Sequence, residues 1–106
     1  MNAHVHPPVY FPTASVTSIA ERLRGRGLDV TEIPIGKATP RFVLHLRCRR
    51  DTQTIRLHGF TLPNHAFVAV MPSTGKKAVD FAFETQRLLL SCGGLSEDEF
   101  KQQTRS

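Results

Sequence analysis

Apolar and polar residues alternate along two adjoining runs in the middle of the chain, between Arg41 and Phe60. Successive side chains of a β-strand point to opposite faces, so this period of two predicts two strands. In the first run, one side carries Phe42, Leu44, Leu46 and Cys48, and the other carries Arg41, Val43, His45, Arg47 and Arg49. In the second run, one side carries Ile55 and Leu57, and the other carries Thr54, Arg56 and His58.

The two runs are predicted to form a hairpin that turns at Asp51 and Thr52. If both apolar sides face one core, the connecting loop must have an even number of residues, because a shift of one residue would turn every side chain to the other face. A two-residue turn is the simplest solution, and a four-residue loop is the alternative. The two-residue turn gives the pairs Cys48 with Ile55, Leu46 with Leu57, Arg47 with Arg56, and His45 with His58.

Helices are predicted on both sides of the hairpin. The first opens at Pro12-Thr13, with Thr13 or Ser15 as N-cap, and is ended by Gly25 and Gly27, with Gly27 as the left-handed cap. The second runs from about 76 to 92, where apolar residues recur at helical spacing. A short third helix is opened by Ser96 and Glu99, which have the spacing of a capping box.

The order of elements predicts an α+β fold. Further strands are expected at 28–35 and 66–71, which together with the hairpin give an antiparallel sheet of three or four strands. Two helices are expected to pack on one sheet face and to leave the other free. The chain is expected to be a single domain over 1–106, with an irregular arm at 1–12 and a frayed tail at 101–106.

The chain is expected to be a globular cytoplasmic protein. The chain is 40% apolar and 22% charged, which is ordinary for a folded domain. The apolar runs are far shorter than the ~20 residues of a membrane helix, and the first residues lack the charged start and apolar centre of a signal peptide. Cys48 and Cys92 are expected to be buried free thiols.

Positive charge is concentrated in the part of the chain that contains the hairpin. Between Arg22 and His58 there are nine basic and three acidic residues, a balance of +6 within a total of +5. Ten of the fourteen basic residues are Arg, whose planar fork suits phosphate and carboxylate groups. The implied partner is nucleic acid or an acidic protein surface, and the alternative is that these side chains are simply solvated. The candidate binding residues are Arg41, His45, Arg47, Arg49, Arg50, Arg56, His58, Lys76 and Lys77.

Catalytic and metal-binding patterns are weak. No nucleophile elbow, phosphate-binding loop or zinc-protease motif is present, and no cofactor is implied. His45 and His58 could act as acid and base on a phosphodiester, although surface or ligand contacts are the more ordinary role of such histidines. A zinc site is not predicted, because the pair lacks a third ligand.

The second predicted helix has a wide apolar arc. Val79, Phe83 and Leu90 extend it beyond the part that one sheet face would cover. A larger core is one explanation, and a homodimer contact is the other.

Two segments resemble a known family. The stretch I-A-E-R-L-R-G-R-G-L at 19–28 and the ending L-L-L-S-C-G-G-L-S-E-D-E-F at 88–100 are similar to the small HicA-type messenger-RNA-cleaving toxins. The resemblance implies a double-stranded-RNA-binding-like fold and a partner antitoxin. The family's Gly-Ser-His at the entry to its second strand has no counterpart, because this chain reads Gly36-Lys37-Ala38.

The leading interpretation is a non-enzymatic module that binds nucleic acid through the free sheet face. A protein-binding inhibitor or adaptor, of the kind that mobile elements encode, is the alternative. A HicA-like ribonuclease is the third.

Overall fold

The computed structural model describes residues 7–36, 41–73 and 78–104. The strands are β1 (Val9–Pro12), β2 (Asp29–Glu32), β3 (Phe42–Arg50), β4 (Gln53–Thr61) and β5 (Phe67–Ser73). The helices are α1 (Ile19–Arg24), α2 (Val79–Ser91) and α3 (Glu97–Thr104), and a 3-10 helix at Thr13–Ser18 leads into α1. Among these residues, no helix has the length and apolar character needed to cross a membrane.

The α+β class with an antiparallel sheet is confirmed. The strand order is β1-β5-β4-β3-β2, and every neighbouring pair is antiparallel. The sheet has five strands rather than three or four, because the end of the expected irregular arm forms β1. Val9 and Phe11 are fully buried in the core, and that burial holds β1 along β5 despite the prolines around it.

The hairpin register is confirmed. Arg47 lies opposite Arg56 and His45 opposite His58, while the inner pairs are Leu46 with Leu57 and Cys48 with Ile55. The strands are joined by the two-residue turn Asp51-Thr52. Asp51 has φ 55, a left-handed conformation that Asp tolerates better than most residues.

Phe42 is not on the inner side, so its predicted orientation is wrong. A register irregularity lies between Phe42 and Leu44, where Phe42 pairs with Phe60 and Leu44 pairs with Gly59. The extra residue, Val43, packs against the core. A β-bulge of this kind reverses the alternation for the residues that precede it.

The helices α1 and α2 pack on one face of the sheet. The core contains Ile19 and Leu23 of α1, Phe81 and Leu89 of α2, and the inward side chains of all five strands. The first helix is shorter than predicted, because the chain from Thr13 to Ser18 winds as a 3-10 helix and no side chain caps it. The predicted end is right, since α1 stops at Arg24 with Gly25 as its C-cap, and Gly27 adopts φ 91 two residues further on.

The last helix, α3, lies on the opposite face of the sheet, which is therefore not wholly free. Leu95 exchanges two backbone hydrogen bonds of 2.8 Å with Tyr10, at the outer edge of β1. From there α3 crosses β1 and β5, and the Phe100 ring stacks on the Tyr10 ring with centroids 4.1 Å apart. The predicted capping box is present, with Ser96 and Glu99 exchanging hydrogen bonds of 3.0 and 3.2 Å.

Candidate nucleic-acid interface

The surface of β2, β3 and β4 that faces away from α1 and α2 is called here the open face. Three cross-strand pairs occupy its centre. In order along β4 they are Arg56 with Arg47, His58 with His45, and Phe60 with Phe42. The hairpin register thus collects two cations and four rings on one surface.

The four rings of the open face form one cluster. The ring cluster consists of Phe42, His45, His58 and Phe60, all half-buried. Phe42 and Phe60 stack with centroids 5.0 Å apart and planes inclined by 23°. His45 and His58 stack at 4.7 Å and 29°. The Phe42 ring joins the two pairs, because its centroid lies 5.3 Å from that of His45 and 5.7 Å from that of His58.

Both histidines of the ring cluster favour the neutral form. Burial lowers the pKa of His45 below its ordinary 6.5, and the nearby Arg56 charge lowers it further. The pKa of His58 is lowered by burial first, and then by His45 and Arg56. Within the described part of the chain, the Nε2 atom of His45 is closed off from solvent and makes no hydrogen bond. The cluster is therefore a stack of neutral aromatic rings at neutral pH.

The cations beside the ring cluster are exposed. Arg47, Arg49 and Arg56 point to solvent, and none of them forms an ion pair or a side-chain hydrogen bond with another described residue. Asp29 of β2 lies opposite Arg49 in the ladder, so Arg49 has an acidic residue as its cross-strand neighbour. Arg47 has Thr31 on one side and Arg56 on the other, so its neighbours in the ladder bring no negative charge.

Two predicted binding residues, Arg50 and Arg41, do not lie with Arg47 on the open face. Arg50 points to the helical side of the sheet, where it pairs with Glu84 of α2 and its guanidinium lies 5.1 Å from the centroid of the Phe81 ring. Arg41 precedes the bulge, so alternation no longer places it with Arg47, although it is exposed. Its backbone carbonyl accepts a hydrogen bond from the Thr61 amide at 2.8 Å.

The arginines of α1 and of the turn that follows it form hydrogen bonds within the fold. Arg22 donates a hydrogen bond to the Cys92 carbonyl at 2.7 Å, and Arg26 donates one to the Ser91 carbonyl at 3.1 Å. Two guanidinium nitrogens of Arg24, Nε and Nη2, donate hydrogen bonds to the Val30 carbonyl. The basic segment of the sequence therefore contains two groups with different roles: Arg22, Arg24 and Arg26 brace α1, whereas Arg47, Arg49 and Arg56 are exposed on the open face.

Of the remaining candidates, those that the structure describes lie apart from the open face. Lys76 and Lys77 fall outside the described residues. Val79, Phe83 and Leu90 lie on α2, where Phe83 is 46% exposed and Leu90 packs against the core. In the described ranges, no three His, Cys, Asp or Glu side chains come close enough together to hold a metal ion.

Phe42 and Phe60 belong to the ring cluster but not to the predicted set of binding residues, and the orientation of Phe42 was predicted wrongly. The signal was present, because Phe42, Val43 and Leu44 are three consecutive apolar residues and interrupt strict alternation. Such a run can mark a bulge as well as a buried strand end. Comparison with known proteins adds no precedent, since no family model, curated protein or solved structure matches this chain.

Proposed function

We propose that this protein is a nucleic-acid-binding module that holds the sugar-phosphate backbone of its ligand on the open face. The observation that carries the proposal is the pairing of Arg47 with Arg56 directly across β3 and β4. Like charges in this position repel each other and destabilise the ladder. A phosphate placed between the two guanidinium groups would convert that repulsion into attraction, and the Arg fork matches the geometry of its oxygens.

The ring cluster favours nucleic acid over a merely acidic protein. An acidic protein surface would satisfy the arginines alone. A nucleic acid presents phosphates and flat bases together. The open face presents cations and flat rings together, because the Arg47–Arg56 pair lies next to the His45–His58 pair along the strands. The two chemistries of the surface thus match the two chemistries of the ligand.

Binding is favoured over cleavage. Acid–base cleavage of a phosphodiester needs a histidine nitrogen within reach of the reacting oxygen. The Nε2 atom of His45 is shielded, and its ring stacks on His58 rather than meeting a carboxylate that would orient it. The histidines are therefore assigned to the contact surface.

The test compares Arg47→Glu with Arg87→Glu. Both substitutions change the net charge by the same amount, but Arg87 is exposed on α2, away from the open face. Binding of labelled oligonucleotides should be followed by fluorescence anisotropy over a range of salt concentrations. Arg47→Glu should weaken binding and reduce the slope of log K against log salt by about 1.

Three results would contradict the proposal. One is an absence of binding to any oligonucleotide at low salt. Another is a salt slope that Arg47→Glu leaves unchanged. The third is an equal loss in Arg87→Glu, which would indicate attraction by net charge alone.

A further inference from the structure

We infer that the open face selects single-stranded nucleic acid, with a base stacked against the Phe42–Phe60 pair while Arg47 and Arg56 hold the backbone. The inference rests on the proposed function and specifies its ligand. It is carried by the geometry of the three cross-strand pairs.

The spacing of the pairs fits an extended strand. Phe60, His58 and Arg56 follow each other at intervals of two residues along β4, and two residues of an antiparallel strand span ~6.8 Å. Stacked nucleotides in a duplex strand rise by only ~3.4 Å each. Consecutive pairs of the open face are therefore about twice as far apart as stacked bases, so a strand that places successive nucleotides on successive pairs must separate its bases.

The aromatic rings of the open face can replace the stacking contacts that separated bases lose. A base that leaves its own stack loses contact with its neighbours, and an aromatic side chain replaces that contact. The bulge at Val43 brings Phe42 beside Phe60, so two Phe rings stand together at the end of the row. A base inside a duplex has both faces already covered and gains nothing from these rings.

The position of α3 limits stacking to β3 and β4. Tyr10 and Phe67 lie on the same side of the sheet as the open face, but Phe100 covers both, with centroid distances of 4.1 and 5.1 Å. The rings at the centre of the sheet lie beyond that cover. The available stacking surface is therefore the ring cluster, directly beside the arginine pair.

The experiment measures the affinity of the full chain for oligothymidine, oligouridine and a DNA duplex of equal length. Both single strands contain bases that stack weakly on one another, and together they distinguish DNA from RNA. We expect at least one single strand to bind more tightly than the duplex. Phe60→Leu should weaken single-strand binding about fivefold or more, whereas Phe60→Tyr, which keeps the ring, should retain it.

Controls separate folding from binding. Phe83→Leu removes an exposed ring on α2 and should leave affinity unchanged. Thermal unfolding should show that Phe60→Leu is folded at the temperature of measurement. Ultraviolet cross-linking of oligouridine, followed by mass spectrometry, should place the attachment within β3 or β4.

The outcomes distinguish the two proposals. If Arg47→Glu weakens binding while Phe60→Leu does not, or if the duplex binds as tightly as both single strands, single-strand selection is wrong and backbone binding by the open face stands. If Arg47→Glu has no effect on any ligand, the proposed function fails as well.

Discussion

Arg22 of α1 donates a hydrogen bond of 2.7 Å to the backbone carbonyl of Cys92, 70 positions away in the sequence. That carbonyl lies just past the end of α2, where the partial negative charge of the helix dipole is concentrated. The bond joins the ends of two helices on the side of the sheet away from the open face. Arg22 thus stabilises the packing of the two helices, although it lies in the same basic segment of the sequence as Arg47.

Replacement of Arg22 by Ala should therefore lower stability and spare nucleic-acid binding. The loss of a charged donor to a helix-terminal carbonyl should reduce the free energy of unfolding by about 1 kcal/mol, since the side chain is partly solvated. Urea denaturation measures this, with Arg87→Ala as the control that removes an exposed Arg without a hydrogen-bond partner among the described residues. A variant that keeps its stability but loses affinity for oligonucleotides would contradict this assignment.

Arg47→Glu should have the reverse effect. It turns a like-charge pair with Arg56 into an opposite-charge pair, which should raise the free energy of unfolding by about 0.2–1 kcal/mol. The same change should weaken nucleic-acid binding. Urea denaturation in the absence of nucleic acid is the measurement, and Arg87→Glu is the matched control. Destabilisation by Arg47→Glu would mean that the two guanidinium groups do not repel each other in the folded protein.

Stability should decrease in mild acid because of His45 and His58. Both have a pKa below 6.5 in the folded protein, so the unfolded chain takes up protons first as the pH falls. The contribution of the two histidines to the free energy of unfolding should be fully present above pH 6.5 and should be lost below it, until the folded-state pKa values are passed. Denaturation midpoints measured at a series of pH values test this.

The double replacement His45→Gln and His58→Gln should flatten that pH dependence. His65 provides the control, because it lies in the exposed turn between β4 and β5. Its φ of 60 is tolerated by Asn, so His65→Asn removes an imidazole without straining the backbone. If the wild-type decline persists in the double variant, the stacked pair is not its source.

Gly59→Ala should destabilise the protein. A Cβ atom at this position would lie 2.7 Å from the Leu44 Cβ and 3.1 Å from the Val68 Cγ1, so β3 or β5 would have to shift. Overpacking of this kind costs about 1–3 kcal/mol. Gly36→Ala is the control, since a Cβ there meets no atom of the described residues within 4 Å and should change stability by less than about 0.5 kcal/mol. Equal unfolding midpoints for the two variants would contradict the close approach of Leu44 to Gly59.

The sequence predicted the centre of the fold better than its edges. Alternation in the two runs, together with one core, allowed only an even loop, and the simplest even loop, a two-residue turn at Asp51 and Thr52, placed Arg47 beside Arg56 and His45 beside His58. The orientation of Phe42 escaped the same reasoning, because a bulge depends on how β4 pairs with the strand and not on the local alternation. The strand β1 was missed because its prolines indicate irregular chain, while its pairing depends on distant β5.

The position of α3 could not be predicted either. Its capping box was evident from Ser96 and Glu99, but the face it covers depends on where Leu95 leaves the sheet. That point is set by the backbone bonds to Tyr10, at the far end of the chain. Local patterns therefore located the element, and a long-range contact decided how much of the ring-bearing surface it leaves exposed.

The backbone bonds between Tyr10 and Leu95 also occupy the outer edge of β1, where a strand from another molecule could otherwise add itself. At the opposite edge, β2 is only four residues long, and Pro34 follows two residues later with no amide hydrogen to donate. Short and covered edges of this kind hinder the edge-to-edge polymerisation to which flat sheets are prone. The sheet can therefore expose rings and cations on its open face while its edges hinder pairing with the edges of other copies.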